Sequence, residues 1–212
     1  MTWLVSASAT LDSDVTIAVT NTIRQFIPAA DIANAGKALV RGTFKASSAV
    51  QLITSKVFIG QGADAGDNID FQATPTELLF GGGHGFTCAA GATIVSDPAV
   101  FTIPAGKPLV LSWYLSTAGG GGHQYGTNAN WLTYYKAGDD AATVNISGYA
   151  AFGANGSYGV LLIEASTIGG ESFIDLSGYG RMCELVKEKV KKYWQGWSLK
   201  NGLFQPESGL SF

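Results

Sequence analysis

Short apolar runs rich in branched residues recur through this chain, and clusters of Gly, Asn, Asp and Ser interrupt them about every ten residues. Val15–Val19 alternates with period two, Leu39–Phe44 does so in outline, and Val50–Ile59 is dense in β-branched side chains. Further runs are Glu77–Phe80, Ala92–Val95, Val100–Ile103, Leu109–Ser116, Trp131–Lys136, Thr143–Ala151 and Gly159–Ala165. Turn clusters at 60–68, 81–85, 118–122, 137–140 and 153–157 separate them. Short strands at this spacing predict a mostly β chain, an antiparallel β-sandwich or jelly roll over residues 1–157. No internal repeat is visible.

Residues 158–212 read as a strand, one amphipathic α-helix and an extended tail, packed on the sandwich or on a partner subunit. In Gly180–Trp194, Met182, Leu185, Val186, Val190, Tyr193 and Trp194 recur at three- and four-residue spacing, with Lys187, Lys189, Lys191 and Lys192 mostly opposite. Gly196 suits the end of that helix. The face bearing Tyr193, Trp194 and Trp197 needs a cover, and so do Leu203, Phe204, Leu210 and Phe212, apolar residues in a tail too short to bury them alone. Tyr193, Trp194, Trp197, Leu203, Phe204 and Phe212 are therefore the expected interface.

At 212 residues the chain has room for one large β domain, or one domain with an appendage. Charged residues make up only 14%, against about 25% in an average soluble domain. A surface of Gly, Ala, Ser and Thr fits one that meets partner subunits, or a neutral, hydroxyl-rich sandwich. The net charge of −3 offers no general attraction to nucleic acid or an anionic membrane. The C-terminal lysines read as a solvated or partner-facing surface, since no aromatic-lined groove accompanies them. No apolar run is long enough for a transmembrane helix. Met1–Val5 has neither a basic segment nor a long apolar stretch, so no secretory signal is expected. Cys88 and Cys183 are isolated and expected to be reduced, with a disulfide as the alternative.

The run from Val160 to Gly170 is an apolar strand leading into Ser166 and a glycine turn. It resembles the first block of the SGNH/GDSL hydrolases, in which a Gly-Asp-Ser-x-Thr turn after a buried strand holds the nucleophile. Ser166 falls on that serine, whereas Glu164 and Ala165 stand where the family has glycine and aspartate. The resemblance extends upstream to the β-sandwich that many such hydrolases carry before the catalytic domain. Its motifs are Ile23-Arg24-Gln25, Leu79-Phe80-Gly81-Gly82, Val95-Ser96-Asp97-Pro98 and Ile103-Pro104-Ala105-Gly106, with the strand Leu109–Leu115. Each motif alone is an ordinary turn sequence; their order and spacing carry the likeness, over roughly residues 20–140 and 158–193. In that family a base histidine follows the serine, but His84 and His123 both precede Ser166. A hydroxyl near its free pKa is a poor nucleophile without a base. Ser166 therefore reads as the vestige of a catalytic turn, the alternative being a nucleophile that borrows a histidine.

Other constellations are weaker. Gly81–Gly85 is similar to a lipase oxyanion loop, but no Gly-x-Ser-x-Gly elbow completes it. Gly119–Tyr125, which includes His123, Gln124 and Tyr125, reads as a flexible loop followed by Asn128, Asn130 and Trp131. That mixture of amides and rings suits a glycan, since rings stack on apolar sugar faces while amides read hydroxyls, and it suits a neighbouring subunit equally. Gly60–Ala65 has the spacing of a dinucleotide fingerprint without the helix that must follow. Asp64, Asp67 and Asp70 do not match a calcium loop, and the two sequons at Asn145 and Asn155 carry no meaning without export. No metal site and no cofactor is expected. The expected function is non-catalytic: a structural or binding β-sandwich, a homo-oligomeric subunit of an assembly such as a phage virion, as a capsid decoration or tail component. The alternatives are an SGNH-type carbohydrate esterase and a free carbohydrate-binding module; otherwise the chain is cytoplasmic.

Overall fold

The computed structural model describes residues 2–64, 69–116, 120–128, 130–152 and 155–167, and the backbone of 197–200 and 203–206. Twenty strands occur among them. The first twelve are β1 (Leu4–Ser8), β2 (Ser13–Thr16), β3 (Asn21–Ile27), β4 (Leu39–Lys45), β5 (Leu52–Thr54), β6 (Lys56–Gln61), β7 (Thr76–Glu77), β8 (Leu79–Phe80), β9 (Gly83–His84), β10 (Phe86–Cys88), β11 (Thr93–Val95) and β12 (Ala99–Val100). The rest are β13 (Leu109–Leu115), β14 (Gly122–Thr127), β15 (Leu132–Ala137), β16 (Ala150–Ala151), β17 (Gly156–Tyr158), β18 (Val160–Ser166), β19 (Trp197–Lys200) and β20 (Leu203–Pro206).

Chain contacts divide the molecule at Ile168/Gly169. The first unit is an antiparallel β-sandwich. One sheet has the order β1-β18-β4-β11, with β12 also on β4; the other runs β16-β15-β3-β13-β6-β7. A three-stranded sheet, β17-β14-β2, and two strand pairs, β10-β5 and β8-β9, complete it. The division expected after residue 157 is corrected to 168, because β18 hydrogen-bonds to β1 on one side and β4 on the other. Removing it would split the sheet.

In the second unit the described backbone forms a hairpin in which Trp197 faces Pro206 and Lys200 faces Leu203. The tail expected to be extended is thus partly paired. The helix expected over Gly180–Trp194 lies outside the described residues, as do Tyr193, Trp194, Phe212 and Cys183.

The core fills the space between the two large sheets. Val40 and Phe44 of β4 with Val160, Ile163 and Ala165 of β18 come from one side. Ile23 and Ile27 of β3 with Leu109, Leu111, Trp113 and Leu115 of β13 come from the other. The Phe44 and Trp113 rings meet edge to face at 5.8 Å. Period-two alternation sends the intervening residues outward. On the first sheet the register aligns Val5, Glu164 and Arg41 in one outer row. Leu162, Thr43 and Val95 form the next, and Leu39 and Val100 a third. An Arg41–Glu164 ion pair at 2.7 Å and Trp3, over which the Arg41 guanidinium lies at 4.4 Å, sit among these aliphatics.

The outer face of the second sheet is buried as well. Arg24 of β3 is fully buried there. Its guanidinium donates to the Ile69 carbonyl at 2.9 Å, to the Asp70 carboxylate at 3.3 Å and to the carbonyls of Thr143 and Val144. The Phe71 and Tyr149 rings lie 4.7 and 5.2 Å from it. Burial pushes the Tyr149 hydroxyl up to about 12. Two irregular segments thus form a flap tied down by one cation. Thr143–Tyr149, expected as strand, is half of that flap; only Ala150–Ala151 pairs. Gly60 accepts the flap because a Cβ there would meet the Phe71 ring at 2.7 Å.

Candidate functional site

Ser166 is the last residue of β18 and is 1% exposed. Its hydroxyl donates to the Thr2 carbonyl at 2.9 Å and to the Thr167 carbonyl at 3.1 Å. Backbone oxygens thus occupy the proton that a general base would have to take. His123 lies in the core, where its Nδ1–H donates to the Gly121 carbonyl at 2.8 Å and its Nε2 accepts the Trp113 indole N–H at 3.1 Å. His84 sits in the β8–β9 hairpin, 75% exposed and paired with Glu77 at 2.8 Å. Gly81 and Gly82 make the turn of that hairpin with positive φ (59° and 79°).

The six residues expected to meet a glycan do not form one site. His123, Gln124 and Tyr125 belong to β14, where pairing with β2 and β17 absorbs them. The Gln124 amide donates to Asp14, whose carboxyl is held below the usual range by hydrogen bonds from Ser48 and, more weakly, from Gln124. Tyr125 packs on Tyr158 at 4.6 Å. The loop expected to be flexible is, from Gly120 to Gly122, buried: a Cβ at Gly121 would collide with the Ile17 carbonyl and one at Gly122 with the Val50 carbonyl.

Asn128, Asn130 and Trp131 do come together, at an open cleft of about 440 Å³ also lined by Asp31 and residues 5–8 and 33. Pro28 introduces the 3₁₀ turn Ala29–Asp31, which delivers Asp31 beside the β14–β15 connection. The Trp131 indole N–H donates to Asp31 Oδ2 at 2.9 Å, and the Asn130 amide approaches Oδ1 at 3.4 Å. Asn128 Oδ1 accepts the Asn130 backbone N–H at 3.0 Å, which fixes the Asn128 side chain against that turn. The Trp131 ring is 1% exposed and offers no stacking surface. Sequence reading missed Asp31, Val5 and Ser6: no local pattern links a turn near residue 30 and an N-terminal strand to residue 130.

A second cleft of about 340 Å³ is lined by Thr16, Ile17, Asn21, Tyr135 and Phe152. Rings succeed one another there, Tyr135–Phe152 at 4.9 Å and Phe152–Tyr158 at 4.5 Å. Among the described residues, no group of three or more His, Cys, Asp or Glu is placed to hold a metal ion. Asp64 pairs with Lys107 at 2.9 Å and Asp70 with Arg24. Cys88 is a buried free thiol, pushed up by burial. No helix among the described residues is long and apolar enough to cross a membrane.

The Phe80-Gly81-Gly82 turn and the Ser96-Asp97 segment interlock: the Gly82 N–H donates to Asp97 Oδ2 at 2.7 Å and the Asp97 N–H to the Leu79 carbonyl at 2.8 Å. No family model matches this chain, and no curated protein matches it.

Proposed function

We propose that this protein is a non-catalytic β-sandwich that works by binding, as a repeated subunit of a larger assembly. The observation that carries the reading is the outer face of the β1-β18-β4-β11 sheet. Its register places Val5, Val95 and Val100 on that face at 49%, 44% and 73% exposure, with the Arg41–Glu164 pair the only charges in those rows. An aliphatic sheet face in a chain with few charges is a surface that a partner covers. The tied hydroxyl of Ser166 favours the non-catalytic reading over an SGNH-type esterase. The likeness to the sandwich that precedes such hydrolases remains a likeness of motif order, and the interlocked Gly82–Asp97 pair accords with it. A virion decoration or tail protein is the setting that best fits low charge and this face.

The test is native mass spectrometry and electron microscopy of the particles in which the full chain occurs. The expected result is a stoichiometric, repeated subunit, from which the folded Val95→Asp/Val100→Asp double variant is excluded. A wild-type chain recovered only as a free monomer overturns the reading, and so does unimpaired incorporation of the double variant.

A further inference from the structure

We infer that the Asp31 cleft is a binding site for a neutral sugar, recognised through a vicinal diol. Apart from Val5, which borders both, the inference rests on different residues from the proposed assembly face and does not depend on it.

A hydroxyl offers one proton and two lone pairs, so a site for a diol must present acceptors and donors side by side. Asp31 supplies the acceptor. Its carboxylate is held on one oxygen by the Trp131 indole and approached on the other by Asn130, which sets its orientation before any ligand arrives. Asn128 supplies an amide held by the contact of its Oδ1 to the Asn130 backbone N–H, and Asn130 one that reaches Asp31. The contact to the Asn130 N–H uses one lone pair of the Asn128 oxygen and leaves its NH2 to donate to a ligand. Ser6, 2% exposed in the bulge of β1, also lines the cleft, and its hydroxyl has no hydrogen-bond partner. A buried hydroxyl left unpaired is unfavourable, and the Ser6 Oγ, closed to solvent here, gains a ligand hydroxyl as partner only where the β1 bulge yields. Val5 on the same wall, half exposed, offers apolar surface for the C–H face of a pyranose.

The chemistry selects against other ligands. An acidic sugar or a phosphate would meet the Asp31 charge. A calcium ion takes about six to eight oxygens and commonly several carboxylates, whereas this cleft has one carboxylate and two side-chain amides, of which the Asn128 oxygen already accepts a hydrogen bond. The cleft volume lies within the roughly 300–1,000 Å³ of small-molecule sites.

The test is an array of immobilised neutral and acidic glycans probed with the full chain, followed by calorimetry on the best neutral glycan. Asn130→Ala removes an exposed amide, and Asp31→Asn keeps an acceptor for the Trp131 indole. Each variant, with its folding checked by near-UV circular dichroism, is expected to bind at least about tenfold more weakly, the factor that corresponds to about 1.4 kcal/mol. Tyr135→Ala, in the second cleft, is expected to leave affinity unchanged. Absence of binding to every glycan, full affinity in both folded cleft variants, loss of binding in Tyr135→Ala, or preference for acidic glycans would each overturn the inference. Native mass measured on the same variants separates this outcome from that of the assembly reading.

Discussion

Trp113 donates its indole N–H to Nε2 of His123 across 3.1 Å in the centre of the sandwich. That bond requires a neutral imidazole, because Nε2 must keep its lone pair. Burial lowers the pKa of His123 to about 4, against a smaller opposing effect of the Gly121 carbonyl. The unfolded chain has the ordinary value of about 6.5 and so binds the proton first as pH falls. The stabilisation is therefore fully present above about pH 6.5 and is lost progressively down to about pH 4. The shift corresponds to about 3 kcal/mol. Urea denaturation at a series of pH values is expected to show this decline for the wild type and a shallower one for His123→Gln. Parallel curves would mean that the imidazole does not govern acid stability.

Breaking the Arg24 clamp should unfasten the flap over the second sheet. Asp70→Ala leaves a buried guanidinium without its carboxylate and frees the Ile146 N–H that the carboxylate also accepts. The expected cost is about 3–5 kcal/mol. Lys56→Ala breaks an ion pair with Asp139 whose partners are each more than a third exposed, and should cost less than about 1 kcal/mol. Comparable losses in chemical denaturation would show that the flap contributes no more than a surface contact.

Gly121→Ala and Gly83→Ala should differ sharply, although both sit in glycine-rich runs. A Cβ at Gly121 enters the Ile17 carbonyl, whereas one at Gly83 stands 3.6 Å from the Phe80 carbonyl, an ordinary contact. Overpacking against backbone predicts a loss of about 3 kcal/mol or more for Gly121→Ala. Gly83→Ala should stay within about 0.5 kcal/mol of wild type. Thermal melts of the two variants decide the matter.

A chain ending at Ile168 should fold, while one ending at residue 157 should not. The longer fragment keeps β18 between β1 and β4. The shorter one leaves both strands with an unpaired edge and removes Val160, Ile163 and Ala165 from the core. Cooperative unfolding of the shorter fragment would refute the central placement of β18.

Ester hydrolysis on short-chain substrates is expected to be indistinguishable between wild type and Ser166→Ala. Loss of the Thr2 contact should instead lower stability by about 1 kcal/mol. A wild-type rate well above background that disappears in the variant would restore the nucleophile reading.

The alternation of branched residues with turn clusters was enough to identify an antiparallel β chain. It also located the strands at Leu39–Lys45, Leu109–Leu115, Leu132–Ala137 and Val160–Ser166 within a residue or two, because each buries one face and shows its period locally. Asn21–Ile27 was not legible. Arg24 and Gln25 interrupt its apolar pattern, and only tertiary structure supplies their partners: flap carbonyls and Asp70 for Arg24, and the carbonyls of Leu132 and Gly156 for the Gln25 amide. Gly122–Thr127 read as loop for the opposite reason. Its preceding glycines answer the close approach of Ile17 and Val50, which is a demand of packing rather than of local flexibility. The candidate cleft divides in the same way: Asn128, Asn130 and Trp131 stand out by type, but Asp31 joins them across about a hundred residues only once the sheets have closed. Sequence determines periodicity, which is local; the partners of a buried polar group and the walls of a cleft belong to residues that meet only in the folded chain.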